Sequence, residues 1–122
     1  MGAPVVWFEI AGRDFEALRG FYGEAFGWKV DADNPKGYGL IDTGAEGGIP
    51  GGMFAGDDVE YTTFYVSVPS LEASLEHAER LGAKIVQPPT AIDGGMRTAA
   101  LLDPEGHRIG LLEPDGATDP TA

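Results

Sequence analysis

The sequence predicts an α+β fold made of two tandem βαβββ modules, and three observations predict it. Aromatic and β-branched runs occur at Val5 to Gly12 and at Tyr61 to Val68, and each is followed by apolar residues at helical spacing. Three shorter strand-like runs follow each helical stripe. The two series also share an offset. Setting Trp7 on Thr63 and Asp14 on Ser70 gives 56 residues, setting Gly27 on Gly82 gives 55, and GWKV is echoed by GAKI.

The elements follow in order. Val5, Val6, Trp7, Phe8 and Ile10 suit a strand, which Gly12 closes. Asp14 then supplies an N-cap. Phe15, Leu18, Tyr22 and Ala25 recur at spacings of three and four, Phe21 and Phe26 widen the stripe, and Gly27 sits where a left-handed C-terminal residue is wanted, which predicts a helix of about 12 residues. Strands are expected at Trp28 to Ala32, Tyr38 to Thr43 and Gly52 to Phe54. Asn34-Pro35-Lys36-Gly37 and the glycine-rich Gly44 to Gly51 separate them. In the second module Ser70 is the N-cap, Leu71, Leu75, Ala78 and Leu81 form the stripe, and Gly82 ends the helix. Strands at Ala83 to Gln87, Arg97 to Leu102 and Arg108 to Leu112 complete it, with Asp103-Pro104-Glu105-Gly106 as the last turn. The expected organisation is one domain over residues 4–114, with modules 4–56 and 61–114. Residues 115–122 lack apolar periodicity and are expected to form a flexible tail.

Composition bounds the function. A chain of 122 residues is one domain's worth at about 150 residues per domain. Its longest uncharged apolar run, Ala3 to Phe8, falls far short of the roughly 20 residues of a bilayer span, and no secretory signal pattern is visible. A cytoplasmic location is therefore expected. With no cysteine, disulfides, thiolate metal sites and cysteine nucleophiles are excluded. A net charge of −12 repels phosphates, so neither nucleic acid nor an anionic membrane is expected as a partner.

Phe-Tyr followed by Phe-Gly-Trp at the end of the first helix (FYGEAFGWKV), together with DPEGHRIGLLEP near the C-terminus, resembles the vicinal oxygen chelate superfamily. That superfamily holds glyoxalase I, extradiol dioxygenases, fosfomycin-resistance enzymes and bleomycin-binding proteins. The resemblance covers roughly Pro4 to Pro114 and implies curled mixed sheets, half-open cavities and homodimerisation through sheet edges. It also implies where enzymes of this type would hold a divalent metal with His or Glu. Carried onto this sequence, the first, fifth and eighth strand positions are Trp7, Thr63 and Gly110, and the fourth falls within Gly51 to Phe54. None of these residues supplies an imidazole or a carboxylate. His77 lies on the second helix and His107 after the DPEG turn, so no native metal site and no cofactor are expected.

Period-two alternation gives the remaining site residues. Trp7 and Glu9 share one face of the first strand, with Val5 and Ala11, while Val6, Phe8 and Ile10 face the helix. A carboxylate partly buried beside an indole is a candidate general base, so Glu9 is either that or a paired rim carboxylate. On the fifth strand Tyr61, Thr63, Tyr65 and Ser67 turn inward and Phe64, Val66 and Val68 turn toward the helices. Tyrosine hydroxyls there either fix a polar ligand, with Tyr65 as a candidate acid or base, or cap the sheet. Arg108 and Leu112 share a face with Gly110, and Arg108 holds either a ligand carboxylate or an acidic neighbour. Met53, at the fourth-strand position, joins Trp7, Thr63, Tyr65, Arg108 and Gly110 as an expected ligand contact. Gly44 to Gly56 is either an ordinary connection or a cover for the cavity, and it lacks the strand-to-helix geometry of a phosphate loop. The reading is a metal-independent binding protein for a small molecule, cationic or aromatic. The alternative is a metal-independent isomerase, lyase or cyclase using Glu9 or a tyrosine, and a metal-dependent glyoxalase ranks below both.

Overall fold

The computed structural model describes residues 2–114, so the expected tail at 115–122 lies outside the described residues. By their contacts these residues divide into two units, Val6–Thr63 and the stretch up to Val5 together with Phe64 onward. The element order is βαβββ twice.

In the first unit β1 (Val5–Gly12) leads into α1 (Phe15–Phe26), β2 (Lys29–Asp31), β3 (Gly39–Asp42) and β4 (Gly51–Ala55). The strands lie in the order β2-β3-β4-β1, with β1 parallel to β4 and the other pairs antiparallel. Asp14 caps α1 by accepting from the Ala17 N–H at 3.0 Å, and Gly27 ends it at φ 73°, so the polar signals at both ends are realised. Ile10, Val30, Ile41 and Met53 form the buried core, against which Phe8, Phe15, Leu18, Tyr22 and Trp28 pack. The helical stripe is narrower than its sequence suggests. Phe21 and Phe26 lie at its margins, 58% and 61% exposed, and rest edge-on against each other.

In the second unit β5 (Tyr61–Ser67) leads into α2 (Leu71–Arg80), β6 (Lys84–Ala91), a 3-10 turn (Asp93–Gly95), β7 (Arg97–Leu102) and β8 (Arg108–Glu113). Residues Tyr61 to Thr63 of β5 belong to the first unit. The order is β5-β8-β7-β6, with β5 parallel to β8. Ser70 caps α2 by accepting from the Ala73 N–H at 3.2 Å. Leu71, Leu75, Val68, Ala99, Leu101 and Leu111 make the core. Leu81, assigned to the helical stripe from sequence, is exposed instead, because the helix ends at Arg80 and Gly82 turns the chain away at φ 102°. β6 runs four residues past Gln87, through Pro88 and Pro89. Among the described residues it is an edge strand paired with β7 alone, and it shifts register on either side of Gln87, so the missing proline N–H groups break no inner ladder.

Candidate functional site

Strand alternation sets the site in the first unit. Phe8 and Ile10 turn toward α1, which leaves Glu9 on the opposite face of β1. There its side chain is only 7% exposed. Both carboxylate oxygens take phenol hydroxyls: Tyr38 Oη donates to Oε2 at 2.7 Å, and Tyr61 Oη donates to Oε1 at 2.6 Å. Such charge-assisted bonds are what a buried carboxylate needs to stay in place. Phe54 joins the two phenols, stacked on Tyr38 with centroids 6.1 Å apart and edge-on to Tyr61 at 6.2 Å.

The glycine opposite Glu9 makes this possible. Glu9 is in register with Gly52 across the β1–β4 pair, and a Cβ at 52 would overlap the Tyr38 hydroxyl. Tyr38 itself precedes β3 and is fixed through its backbone. Asn34 Oδ1 accepts from its N–H at 3.1 Å, and Asn34 Nδ2 donates to its carbonyl at 2.7 Å.

Of the residues expected from sequence, Trp7 is half-buried on Glu9's own strand, two residues away and thus on the same face. Thr63 is buried at 5% exposure. Met53 is corrected: it is fully buried among Ile10, Val30 and Ile41 on the helix side, where no ligand reaches it. The register decides this, because Gly52 and Phe54, not Met53, share the face of Glu9.

In the second unit Tyr65 is paired with Gly110 across β5 and β8, and its ring lies over that glycine, 2.5 Å from where a Cβ would stand. Arg108 is half-buried two residues earlier on β8. A different constellation there had no sequence assignment. Glu113 is 2% exposed and accepts from the Leu71 N–H at 2.9 Å, from Arg97 Nε at 3.0 Å and from Arg97 Nη2 at 2.8 Å. Arg97 also grips Glu72 through two bonds of 2.8 Å. The guanidinium holds the Glu72 carboxyl down at about 2 and, with the Leu71 N–H, holds Glu113 below the usual range against the opposing effect of burial. Glu72 first and Glu113 second push Arg97 upward. This network ties the start of α2 to β7 and β8.

The histidines sit apart from both faces. His107 places Nδ1 2.9 Å from Asp103 Oδ2 in the β7–β8 turn, and the His107 backbone N–H is the main cause holding the Asp103 carboxyl low. His77 is exposed on α2. Among the described residues no three His, Asp or Glu side chains are grouped to hold a metal ion. The positions where a metal would be held do not fit one: an indole stands at 7, a buried hydroxyl at 63, and at 110 a glycine whose side-chain space the Tyr65 ring fills.

A depression of about 540 Å³ opens on the first unit beside the start of α1, lined among others by Arg13, Asp14, Leu18, Tyr22 and Glu60. The Arg13–Glu60 ion pair, 2.6 Å long and exposed on both sides, stands at its rim. It contains neither Trp7 nor Glu9, but Tyr61, whose hydroxyl donates to Glu9, is among its lining residues.

Sequence reading missed Tyr38 and Phe54. Tyr38 was taken only as the start of a strand, and Phe54 only as part of a glycine-rich one. The available signal was Gly52, a strand glycine marking a close approach by some other group.

Two βαβββ modules, each with a parallel pair between its first and last strand, define a glyoxalase-type fold. The chain belongs to the glyoxalase-like domain family, whose model matches residues 7–112. No curated protein matches it in sequence. Solved structures show the fold. A hypothetical protein from Bacillus halodurans C-125 is 14% identical with a TM-score of 0.70, covering 94% of this chain and 96% of its own. Methylmalonyl-CoA epimerase from Mycobacterium tuberculosis is 15% identical with a TM-score of 0.65, covering 90% and 87%. A glyoxalase/bleomycin resistance protein/dioxygenase superfamily member from Vibrio splendidus 12B01 is 12% identical with a TM-score of 0.64, covering 92% and 99%. Among the described residues no helix is long and apolar enough to cross a membrane.

Proposed function

We propose that this chain is a metal-independent small-molecule binding protein of the glyoxalase/bleomycin resistance type, a single domain over residues 4–114 that acts as a cytoplasmic homodimer. Its ligand is a cationic or aromatic metabolite or antibiotic. The observation that carries this reading is the Glu9 carboxylate, buried and held by Tyr38 and Tyr61 with Phe54 between their rings. Aromatic walls around a fixed polar group are what a small-molecule site requires, and the net charge of −12 favours cations. In the first unit the proposed ligand contacts are Trp7 and Thr63, and in the second unit, taken by itself, they are Tyr65, Arg108 and Gly110.

One observation favours a second reading, a metal-independent isomerase, lyase or cyclase. Each oxygen of Glu9 touches a phenol, so a proton acceptor and two proton donors are already in contact, as acid–base chemistry needs. Tyr65 is a further candidate acid or base. An epimerase, methylmalonyl-CoA epimerase, is among the structures that share the fold.

The test is calorimetry with phenyltrimethylammonium and with bleomycin, in chelator, on the wild-type chain and on Glu9→Gln. Binding that survives chelation and weakens at least tenfold in Glu9→Gln supports the reading. Binding that appears only with added metal overturns it. Conversion of a bound compound moves the assignment to the second reading.

A further inference from the structure

We propose that Asn34 is a positioning residue of the Glu9 site: its carboxamide stands in for a strand neighbour of Tyr38 and so sets the Tyr38 phenol against the carboxylate. The inference deepens the small-molecule reading and rests on it for the part that concerns a ligand. Tyr38 stands just past the end of two ladders. The β2–β3 register ends at Asp31 with Leu40, and two further steps would bring Asp33 opposite Tyr38. Asp33 instead gives its N–H to Asp31 Oδ1 at 2.9 Å. The β3–β4 register ends at Gly39 with Met53, and its next step sets Tyr38 opposite Phe54, which is why their rings stack.

Asn34 closes the gap on the β2 side. Its Oδ1 accepts from the Tyr38 N–H at 3.1 Å and its Nδ2 donates to the Tyr38 carbonyl at 2.7 Å, the two bonds that a residue opposite in an antiparallel ladder would exchange. The Gly37 N–H donates to the Asn34 carbonyl at 3.0 Å, which closes a turn in which Gly37 takes φ 65°. One short turn thus fixes the Tyr38 backbone where β2 has ended. The phenol bond to Glu9 at the far end of the side chain is 2.7 Å long, and such a bond weakens steeply with angle and distance, so a small backbone shift at 38 is felt at the carboxylate. The clamp needs one donor and one acceptor in a flat group, which asparagine supplies. Aspartate matches it in size and suits the same turn, but presents an acceptor to the Tyr38 carbonyl.

The test is Asn34→Asp, made in the wild-type chain and in Tyr38→Phe, and followed by fluorine NMR of 3-fluorotyrosine and by calorimetry with phenyltrimethylammonium. The Tyr38 resonance, assigned by its loss in Tyr38→Phe, should move in Asn34→Asp, while that of Tyr22, whose ring stacks on Trp28, should stay. Asn34→Asp should weaken binding about tenfold in the wild-type chain, and less than about twofold in Tyr38→Phe, where no hydroxyl is left to place. An unmoved Tyr38 resonance, or equal losses in the two backgrounds, overturns the inference, because a residue that only forms the turn would give those results. Should Asn34→Asp fail to fold, Asn34→Ala replaces it, and failure of both overturns the inference as well. If the Tyr38 resonance moves as expected while phenyltrimethylammonium does not bind the wild-type chain, the positioning role stands and the small-molecule reading falls.

Discussion

Arg97 and Glu113 form a tight ion pair across β7 and β8, Nη2 to Oε2 at 2.8 Å, in which the Glu113 side chain is 3% exposed and the Arg97 side chain 30%. Arg97 reaches outward from this pair to Glu72 at the first turn of α2, and Glu113 reaches the Leu71 N–H of the same turn. One cation therefore holds two carboxylates, one buried and one in water, and a helix end.

Acid should dissolve this tie. Glu72 is held at about 2 from an ordinary 4.5 and Glu113 is also held low, so both bind protons less readily folded than unfolded. Their contribution is complete above an unfolded value of about 4.5 and is lost as pH falls through the folded values. Chemical denaturation from pH 7 down to 2 should show wild type losing stability faster than Glu113→Gln below about pH 4.5. Parallel curves would refute this.

Arg97→Ala strands the buried Glu113 carboxylate without its cation. The variant should be clearly less stable, because the Glu113 side chain left behind is buried. Removing both partners in Arg97→Met with Glu113→Leu should cost less than Arg97→Ala alone. Urea unfolding of the wild type and the two variants measures the difference, and equal losses would show that the pair contributes nothing specific.

Gly110→Ala should destabilise by about 1 to 3 kcal/mol, because its methyl group enters the Tyr65 ring and a paired strand has little room to yield. The same substitution in a Tyr65→Ala background should cost much less. A thermal melt of the four proteins in this cycle tests the contact directly.

Divalent metal should change neither stability nor activity. A specific site filled at about 100 times its Kd would add roughly 2.7 kcal/mol, a shift readily seen in a melt. Chelator-treated protein with nickel, zinc, manganese or iron(II) should melt as it does alone, apart from a small common shift that salt abolishes. A large, salt-resistant shift with one metal would restore a metal-dependent reading. In the same preparation Trp7→Ala should weaken ligand binding by about 1 to 3 kcal/mol, and unchanged affinity would move the site elsewhere.

The proposed homodimer is tested by sedimentation. Long edge strands such as β6 call for cover, and a 12.8 kDa species at all micromolar concentrations would exclude the dimer.

The fold was legible because its signals are local. Asp14 and Ser70 cap their helices through hydrogen bonds three residues away, and Phe8 and Ile10 are separated from Glu9 by the alternation of one strand. Glu9 therefore lies on the strand face opposite Phe8 and Ile10. The strand expected to end at Gln87 runs on through Pro88 and Pro89 to Ala91. What rescued them is the strand's place at a sheet edge, which is a property of pairing.

The contacts of Glu9 lay beyond such reasoning, although alternation along the fifth strand turns Tyr61 inward. Tyr38 and Tyr61 are 29 and 52 residues from it, and nothing in a period of two or 3.6 connects them. Met53 and Phe54 are neighbours in sequence, and the pairing of Glu9 with Gly52 puts one in the core and the other beside the carboxylate. Composition, spacing and capping act over a few residues and so set which elements form and which face is apolar. Register and long-range contact place one strand against another, and through them a glycine on β4 became the floor beneath a tyrosine that belongs to no strand.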